Sequence, residues 1–283
     1  MPPEGSTAPK RSHDVETGFV EIEGTSLAYQ TAGDGTPLVF VHAGIADSRM
    51  WHPQFDAFAD QYRVVAYDLR GFGDSKLPPE PYAHYRDLGQ LLDALDIESA
   101  HLVGASMGGA TALDFALEHP TRVEILTLVA PALSGYTFTD DATYDGWQTA
   151  TAAFENGDAE RAALVESELW VAGPTRTLDT IDPDVRALVH AMLLQSYEQD
   201  TDDATEEPLS PPAIERLSEL QAPVLLVNGA LDRPDMNLIA DILEADVPAI
   251  RAATMADVAH LPSLERPDEF NELLRSFLAQ HSV

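Results

Sequence analysis

Short runs of β-branched and aromatic residues recur along the chain with helical patterns between them. No other feature restricts the fold as much. Pro37-Leu-Val-Phe-Val-His42, Arg63-Val-Val-Ala-Tyr-Asp68, His101-Leu-Val-Gly-Ala105, Val123-Glu-Ile-Leu-Thr-Leu-Val-Ala130 and Pro223-Val-Leu-Leu-Val-Asn228 are compact apolar runs with little alternation, as strands buried on both faces require. Between and after them, Tyr85, Leu88, Leu91, Leu92 and Leu95 fall at helical spacing, as do Ala110, Leu113, Ala116 and Leu117, and again Phe270, Leu273, Leu274 and Phe277. Strand, helix, strand in this order predicts a parallel sheet with right-handed crossovers. Phe19–Glu23 and Ser26–Gln30 alternate with period two around Gly24-Thr25, a hairpin signal, and a last strand is expected near Ile250–Thr254.

The alternation stops between residues 134 and 212. This segment holds helix-like stretches at Thr149–Phe154, Asp158–Leu169 and Pro183–Tyr197, then an acidic stretch over Glu198–Glu207 closed by Pro208, Pro211 and Pro212. With 283 residues, 45% of them hydrophobic, the chain can bury one large core carrying an insertion. The expected organisation is a flexible N-terminal tail over 1–17, a core over 18–133, a helical insertion over 134–212 and the rest of the core over 213–283.

Charge excludes whole classes of function. Sixteen basic residues against 48 acidic ones leave a formal net charge of −32, which repels nucleic acid and anionic membrane surfaces. There is no cysteine, so disulfides, thiolate metal sites and a Cys nucleophile are all absent. No run of about 18 apolar residues marks a membrane span, and residues 1–18 lack the apolar stretch of a signal peptide, so a cytoplasmic protein is expected. Only Lys10 and Lys76 are lysines; the other 14 basic residues are arginine. Such an acidic, lysine-poor surface suits a concentrated-salt cytoplasm, where a Debye length of about 3 Å at 1 M screens the self-repulsion.

The chemistry centres on Gly104-Ala-Ser-Met-Gly-Gly109, a G-x-S-x-G motif between a predicted strand and a predicted helix. A serine on such a sharp turn has strained dihedrals, and glycines two residues to either side remove side chains that would collide with the neighbouring elements. Its hydroxyl then points out beside a helix N-terminus, where the Met107 N–H can donate to a developing oxyanion. The base such a serine needs is expected at His260, after the last strand and at the same sheet edge. The acid that orients it is expected at Asp232, a short turn beyond the Pro223–Asn228 strand. Asp235 is the alternative acid, read instead as a helix cap. The order Ser106, Asp232, His260 is that of an α/β-hydrolase triad. A second oxyanion donor is expected from the Gly44 N–H, with Ile45 as the fallback, and His42 is read as shaping that loop through hydrogen bonds.

Asp68-Leu-Arg-Gly-Phe-Gly-Asp-Ser75 lacks the Lys and spacing of a phosphate loop and is read as a structural turn near the same edge. No metal-ligand spacing and no dinucleotide fingerprint occur, so no metal or cofactor is expected. Of the large aromatics in the insertion (Tyr136, Phe138, Trp147, Trp170), Trp147 and Trp170 are the expected walls of a substrate site. An anionic substrate would need an arginine there, such as Arg176 or Arg233.

Together Val41–Gly44, Asp68–Ser75, Gly104–Gly109, Gly229–Asp232 and Ala259-His260 resemble the α/β-hydrolase fold family over about Phe19–Leu278. The resemblance implies an eight-stranded, mostly parallel sheet flanked by helices with an inserted helical cap, a Ser106–His260–Asp232 triad, and Gly44 and Met107 as backbone donors. It is similar above all to the 3-oxoadipate enol-lactonases and small carboxylesterases, which implies a small-molecule ester or lactone substrate. The serine departs from the haloalkane dehalogenases and epoxide hydrolases, whose nucleophile is Asp. Cofactor-free haloperoxidases or perhydrolases and C–C bond hydrolases share the motifs, and the fold also serves as a non-catalytic ligand receptor.

Overall fold

The computed structural model describes residues 14–78, 80–199 and 204–281. Eight strands form one sheet: β1 (Glu16–Ile22), β2 (Thr25–Ala32), β3 (Pro37–Val41), β4 (Arg63–Tyr67), β5 (Ala100–Ala105), β6 (Val123–Val129), β7 (Val224–Gly229) and β8 (Ile250–Met255). Their order is β1-β2-β4-β3-β5-β6-β7-β8, antiparallel at β1–β2 and β2–β4 and parallel from β4 to β8. Every residue of β5 and β7 is buried, whereas the edge strands β1 and β8 alternate with solvent. This is the physical reason the central runs read as continuously apolar.

The helices are α1 (His52–Phe58), α2 (His84–Ala94), α3 (Met107–Glu118), α4 (Asp141–Glu155), α5 (Ala159–Glu166), α6 (Pro183–Tyr197), α7 (Pro234–Asp246), α8 (Pro262–Glu265) and α9 (Pro267–His281); they flank the sheet except for α4, α5 and α6, which pack chiefly on one another. Leu88, Leu91 and Leu92 on α2, and Phe270, Leu274 and Phe277 on α9, turn into the core as their spacing predicts. Trp51 is fully buried between Phe40 and Phe270, with ring centroids 5.2 and 6.2 Å away. Each such ring taken from water contributes about 2 kcal/mol.

Local pairing shifts two expectations at the N-terminus. Glu16 pairs with Thr31 and Thr17 with Gln30, so β1 starts two residues before the expected start of the core at 18; residues 1–13 of the tail lie outside the described residues. The hairpin turns at Glu23-Gly24, because Ile22 pairs directly with Thr25. Between β6 and β7 lie α4, α5 and α6, and α4 begins eight residues before the periodicity suggests. Its first turns are polar and carry no apolar stripe, and they are held from outside. The Asp140 carboxylate that precedes them accepts hydrogen bonds from Thr143 Oγ1 (2.7 Å) and Arg233 Nε (3.0 Å).

Because β3 to β8 run parallel, the segments after β3, β5, β7 and β8 emerge at one sheet edge. These are the segments that carry Gly44, Ser106, Asp232 and His260. Among the described residues no helix is long and apolar enough to cross a membrane.

Candidate active site

Ser106 links β5 directly to α3 with φ +49° and ψ −116°, a region that residues with a Cβ rarely occupy. The surroundings hold it there. The Ser106 N–H donates to Val129 O (2.9 Å), and its carbonyl accepts from the N–H groups of Ala110 (3.0 Å) and Ala132 (2.9 Å). The turn closes only without side chains at its flanks. A Cβ on Gly104 would stand 2.2 Å from the Gly108 carbonyl oxygen, and one on Gly108 would stand 2.3 Å from that of Val41. Ser106 and Met107 both line a cavity of about 540 Å³, within the usual size of small-molecule sites. The first N–H groups of α3 have no intrahelical acceptor and remain available to a ligand.

His260 and Asp232 reach the site on two loops laced together. Ala230 N–H donates to Met255 O, and Leu231 N–H to Val258 O, both at 2.9 Å. The His260 Nδ1–H donates to Asp232 Oδ2 at 2.8 Å, while Asp232 Oδ1 accepts the Arg233 N–H at 2.7 Å. Asp232 is 4% and His260 2% exposed. The carboxylate therefore occupies Nδ1 and leaves Nε2 as the free ring nitrogen. His260 lines the same cavity as Ser106, without a direct hydrogen bond between the two side chains among the described residues. The His260 ring lies against Trp170, centroids 4.4 Å apart.

The segment after β3 forms a tight turn in which Ala46 N–H donates to Ala43 O (3.0 Å). Gly44 and Ile45 occupy its two central positions, and both line the cavity. His42 shapes this segment: Leu69 N–H donates to its Nε2 (2.8 Å), and its Nδ1–H donates to Ala43 O (2.9 Å). Burial lowers its pKa against the pull of Asp68, so His42 is neutral with both nitrogens engaged. The Asp68–Ser75 segment is a hydrogen-bonded turn in which Asp68 accepts the N–H groups of Ser48 and Asp74, each at 2.9 Å. It also gives the cavity Arg70, Gly71 and Phe72.

Trp147 and Trp170 line the cavity with Phe138, in a ladder with Phe138–Trp147 at 4.9 Å and Trp147–Trp170 at 5.9 Å; Tyr136 stands behind Phe138. Three residues behave differently from their reading in the sequence. Asp235 does not cap α7. Its carboxylate accepts from Tyr136 O–H (2.7 Å), Thr139 Oγ1 (2.8 Å) and the N–H groups of Thr139 (3.0 Å) and Asp140 (2.8 Å), pinning the chain where it enters α4. Arg233 is buried against Asp140 and Thr143. Arg176 is held by Glu265 (2.6 Å) and by the carbonyls of Val171 and Ala172. Neither arginine lines the cavity.

Glu166, which the sequence reading passes over, does line it. It ends α5 where the helix widens into a π-turn over Ser167–Ala172, and that turn places Trp170 on His260. Burial drives the Glu166 carboxyl up to about 7, opposed by the Trp170 indole and by His260.

The matching family model, described as alpha/beta hydrolase fold, covers residues 36–267. The chain belongs to this family. A carboxylesterase of Bacillus subtilis, YbfK, is 27% identical over 255 residues, covering 87% of this chain and 81% of its own. A 3-oxoadipate enol-lactonase of Acinetobacter baylyi is also 27% identical, over 90% of this chain and 94% of its own. A solved N-acyl homoserine lactone degrading enzyme superimposes with a TM-score of 0.72 at 30% identity, covering 92% of this chain and all of its own.

Proposed function

We propose that the protein is a serine hydrolase that cleaves carboxylic esters or lactones through an acyl-enzyme. The observation that carries this reading is the buried 2.8 Å His260–Asp232 pair on the cavity that Ser106 enters from a strained turn. Asp232 fixes the imidazole with its proton on Nδ1, so Nε2 can take the Ser106 proton as the hydroxyl attacks the carbonyl. The Ser106 hydroxyl turns onto Nε2 as substrate binds, since catalytic hydrogen bonds often tighten only in the Michaelis complex. The oxyanion is held by the N–H groups of Met107 and Gly44, with Ile45 beside it in the same turn. His260 then protonates the leaving oxygen and afterwards activates the water that frees the acid. The esterase and lactonase relatives support this chemistry.

In the same reading, residues 134–212 act as a cap, since Phe138, Trp147, Glu166, Trp170 and Leu193 belong to the cavity wall. Ser106→Ala should abolish hydrolysis of p-nitrophenyl acyl esters while leaving the circular dichroism unchanged; retained turnover would remove Ser106 from the mechanism. The charge of −32 further supports a protein adapted to high salt. Its unfolding midpoint should rise from about 50 mM to about 2 M NaCl as repulsion is screened; equal midpoints would reject that adaptation.

A further inference from the structure

The interior charge of the cavity narrows the substrate. Two carboxylates belong to its lining, Glu166 beside His260 and Glu206 on the wall shared with a smaller neighbouring cavity. Among the described residues the lining's one arginine, Arg70, is already engaged. Its Nε and Nη2 donate to both oxygens of Asp87 at 2.8 and 2.9 Å, Nη2 also reaches Glu23 O at 2.9 Å, and the guanidinium lies over the Tyr82 ring at 5.2 Å. His84, also in the lining, is held neutral by burial and by the neighbouring His42 and Arg70, which bring its pKa down to about 3. Arg176 and Arg233 are committed elsewhere. Much of the remaining wall is apolar: Ile45, Phe72, Phe138, Trp147, Leu193 and Met236.

We propose that this cavity accepts esters or lactones that carry no carboxylate and turns away those that do, with Glu166 and Glu206 as the specificity-determining residues. The inference rests on the hydrolase reading and names its substrate class. A carboxylate entering here leaves water, finds no uncommitted cation among the described residues, and meets like charge from the half-buried Glu166 and the exposed Glu206. A neutral chain meets the aromatic wall instead, and a hydroxyl, amide N–H or ammonium gains an acceptor in Glu166. Salt screens the exposed Glu206 more than the half-buried Glu166, so the part of the discrimination that Glu166 supplies persists at high salt.

The test compares methyl p-nitrophenyl glutarate with p-nitrophenyl hydrogen glutarate, which differ only in the methyl that masks the distal carboxylate. At pH 8, where Glu166 is ionised, wild-type kcat/KM should favour the methyl ester by about thirtyfold or more, since one like charge at close range costs at least a decade. Glu166→Gln and Glu206→Gln combined should shrink that ratio to about threefold. A wild-type ratio near one, or a ratio unchanged in the double variant, overturns the proposal. Binding of hexanamide and hexanoate, read by tryptophan fluorescence, decides the matter independently of turnover. Tighter hexanamide binding supports the selectivity even if no ester is cleaved, in which case the hydrolase reading alone fails. Equal or tighter hexanoate binding overturns the selectivity even if esters are cleaved.

Discussion

Glu166 is costly where it stands, and the cost has a measurable pH signature. The side chain sits on the cavity wall, and burial carries its carboxyl from 4.5 to about 7. A folded state that holds its proton more tightly than the unfolded chain loses stability as pH rises. The loss begins near 4.5, where the unfolded chain ionises, and is complete just above 7, where the folded carboxyl ionises too. At about 1.4 kcal/mol per pH decade, the ionised form costs the fold at most about 3 kcal/mol, less for the part of the side chain that solvent reaches. Glu166→Gln keeps the shape and an acceptor oxygen for the Trp170 indole but cannot ionise. The variant should therefore match wild type near pH 4.5 and be more stable by about 2–3 kcal/mol at pH 8. Urea unfolding of both proteins at 2 M NaCl, at pH 5, 6, 7 and 8, gives the difference directly. A difference that is flat with pH, or that favours wild type as pH rises, refutes the burial argument. A stabilising variant at a site wall is the expected sign of a residue kept for function rather than for stability.

Three further outcomes follow from the same geometry. Asp232→Asn should lower kcat by about 10³–10⁴-fold with little change in KM, because the amide no longer fixes the imidazole tautomer; steady-state kinetics on a p-nitrophenyl ester checks it. Gly108→Ala places a Cβ 2.3 Å from Val41 O and 2.4 Å from His42 O, so thermal unfolding should fall by several degrees and activity should be lost with it; an unperturbed melting curve would show that the turn can relax. Asp235→Ala leaves Tyr136, Thr139 and Asp140 donors unmatched and should cost about 2–3 kcal/mol, measured by urea unfolding, whereas Asp235→Asn should recover part of it.

What could be read from residues alone depended on whether one segment held all the information. The central strands are buried on both faces, so their composition announces them. Pro183 and the helical pattern up to Tyr197 mark α6 at both ends. The Gly104–Gly109 turn is legible because its spacing is contained in one segment, although only Gly104 answers to a near neighbour, Gly108, while Gly108 and Gly109 answer to Val41 and Pro131. Other features depend on partners distant in sequence. α1 is a short helix with two buried aromatics and no extended stripe, and it is placed by packing against α9. Asp235 has the position of a helix cap, but Tyr136 and Thr139, about a hundred residues earlier, claim its carboxylate. Arg176 and Arg233 resemble free cations in an acidic chain until their partners Glu265 and Asp140 are located. Glu166 opens the polar triplet Glu166-Ser-Glu168, the pattern of a solvated helix face. Only the π-turn that follows reveals that it lines the cavity.

In the proposed mechanism Ser106 is a nucleophile activated by a base on a separate loop. Reaction with a fluorophosphonate, followed by mass spectrometry of the intact protein and its peptides, tests this most directly. The expected result is a single adduct on the Gly104–Gly109 segment at Ser106, absent in Ser106→Ala and formed at least a hundredfold more slowly in His260→Gln, on the order of a general base's contribution. An unlabelled Ser106 in protein that still cleaves esters, or labelling at full rate without His260, would contradict it.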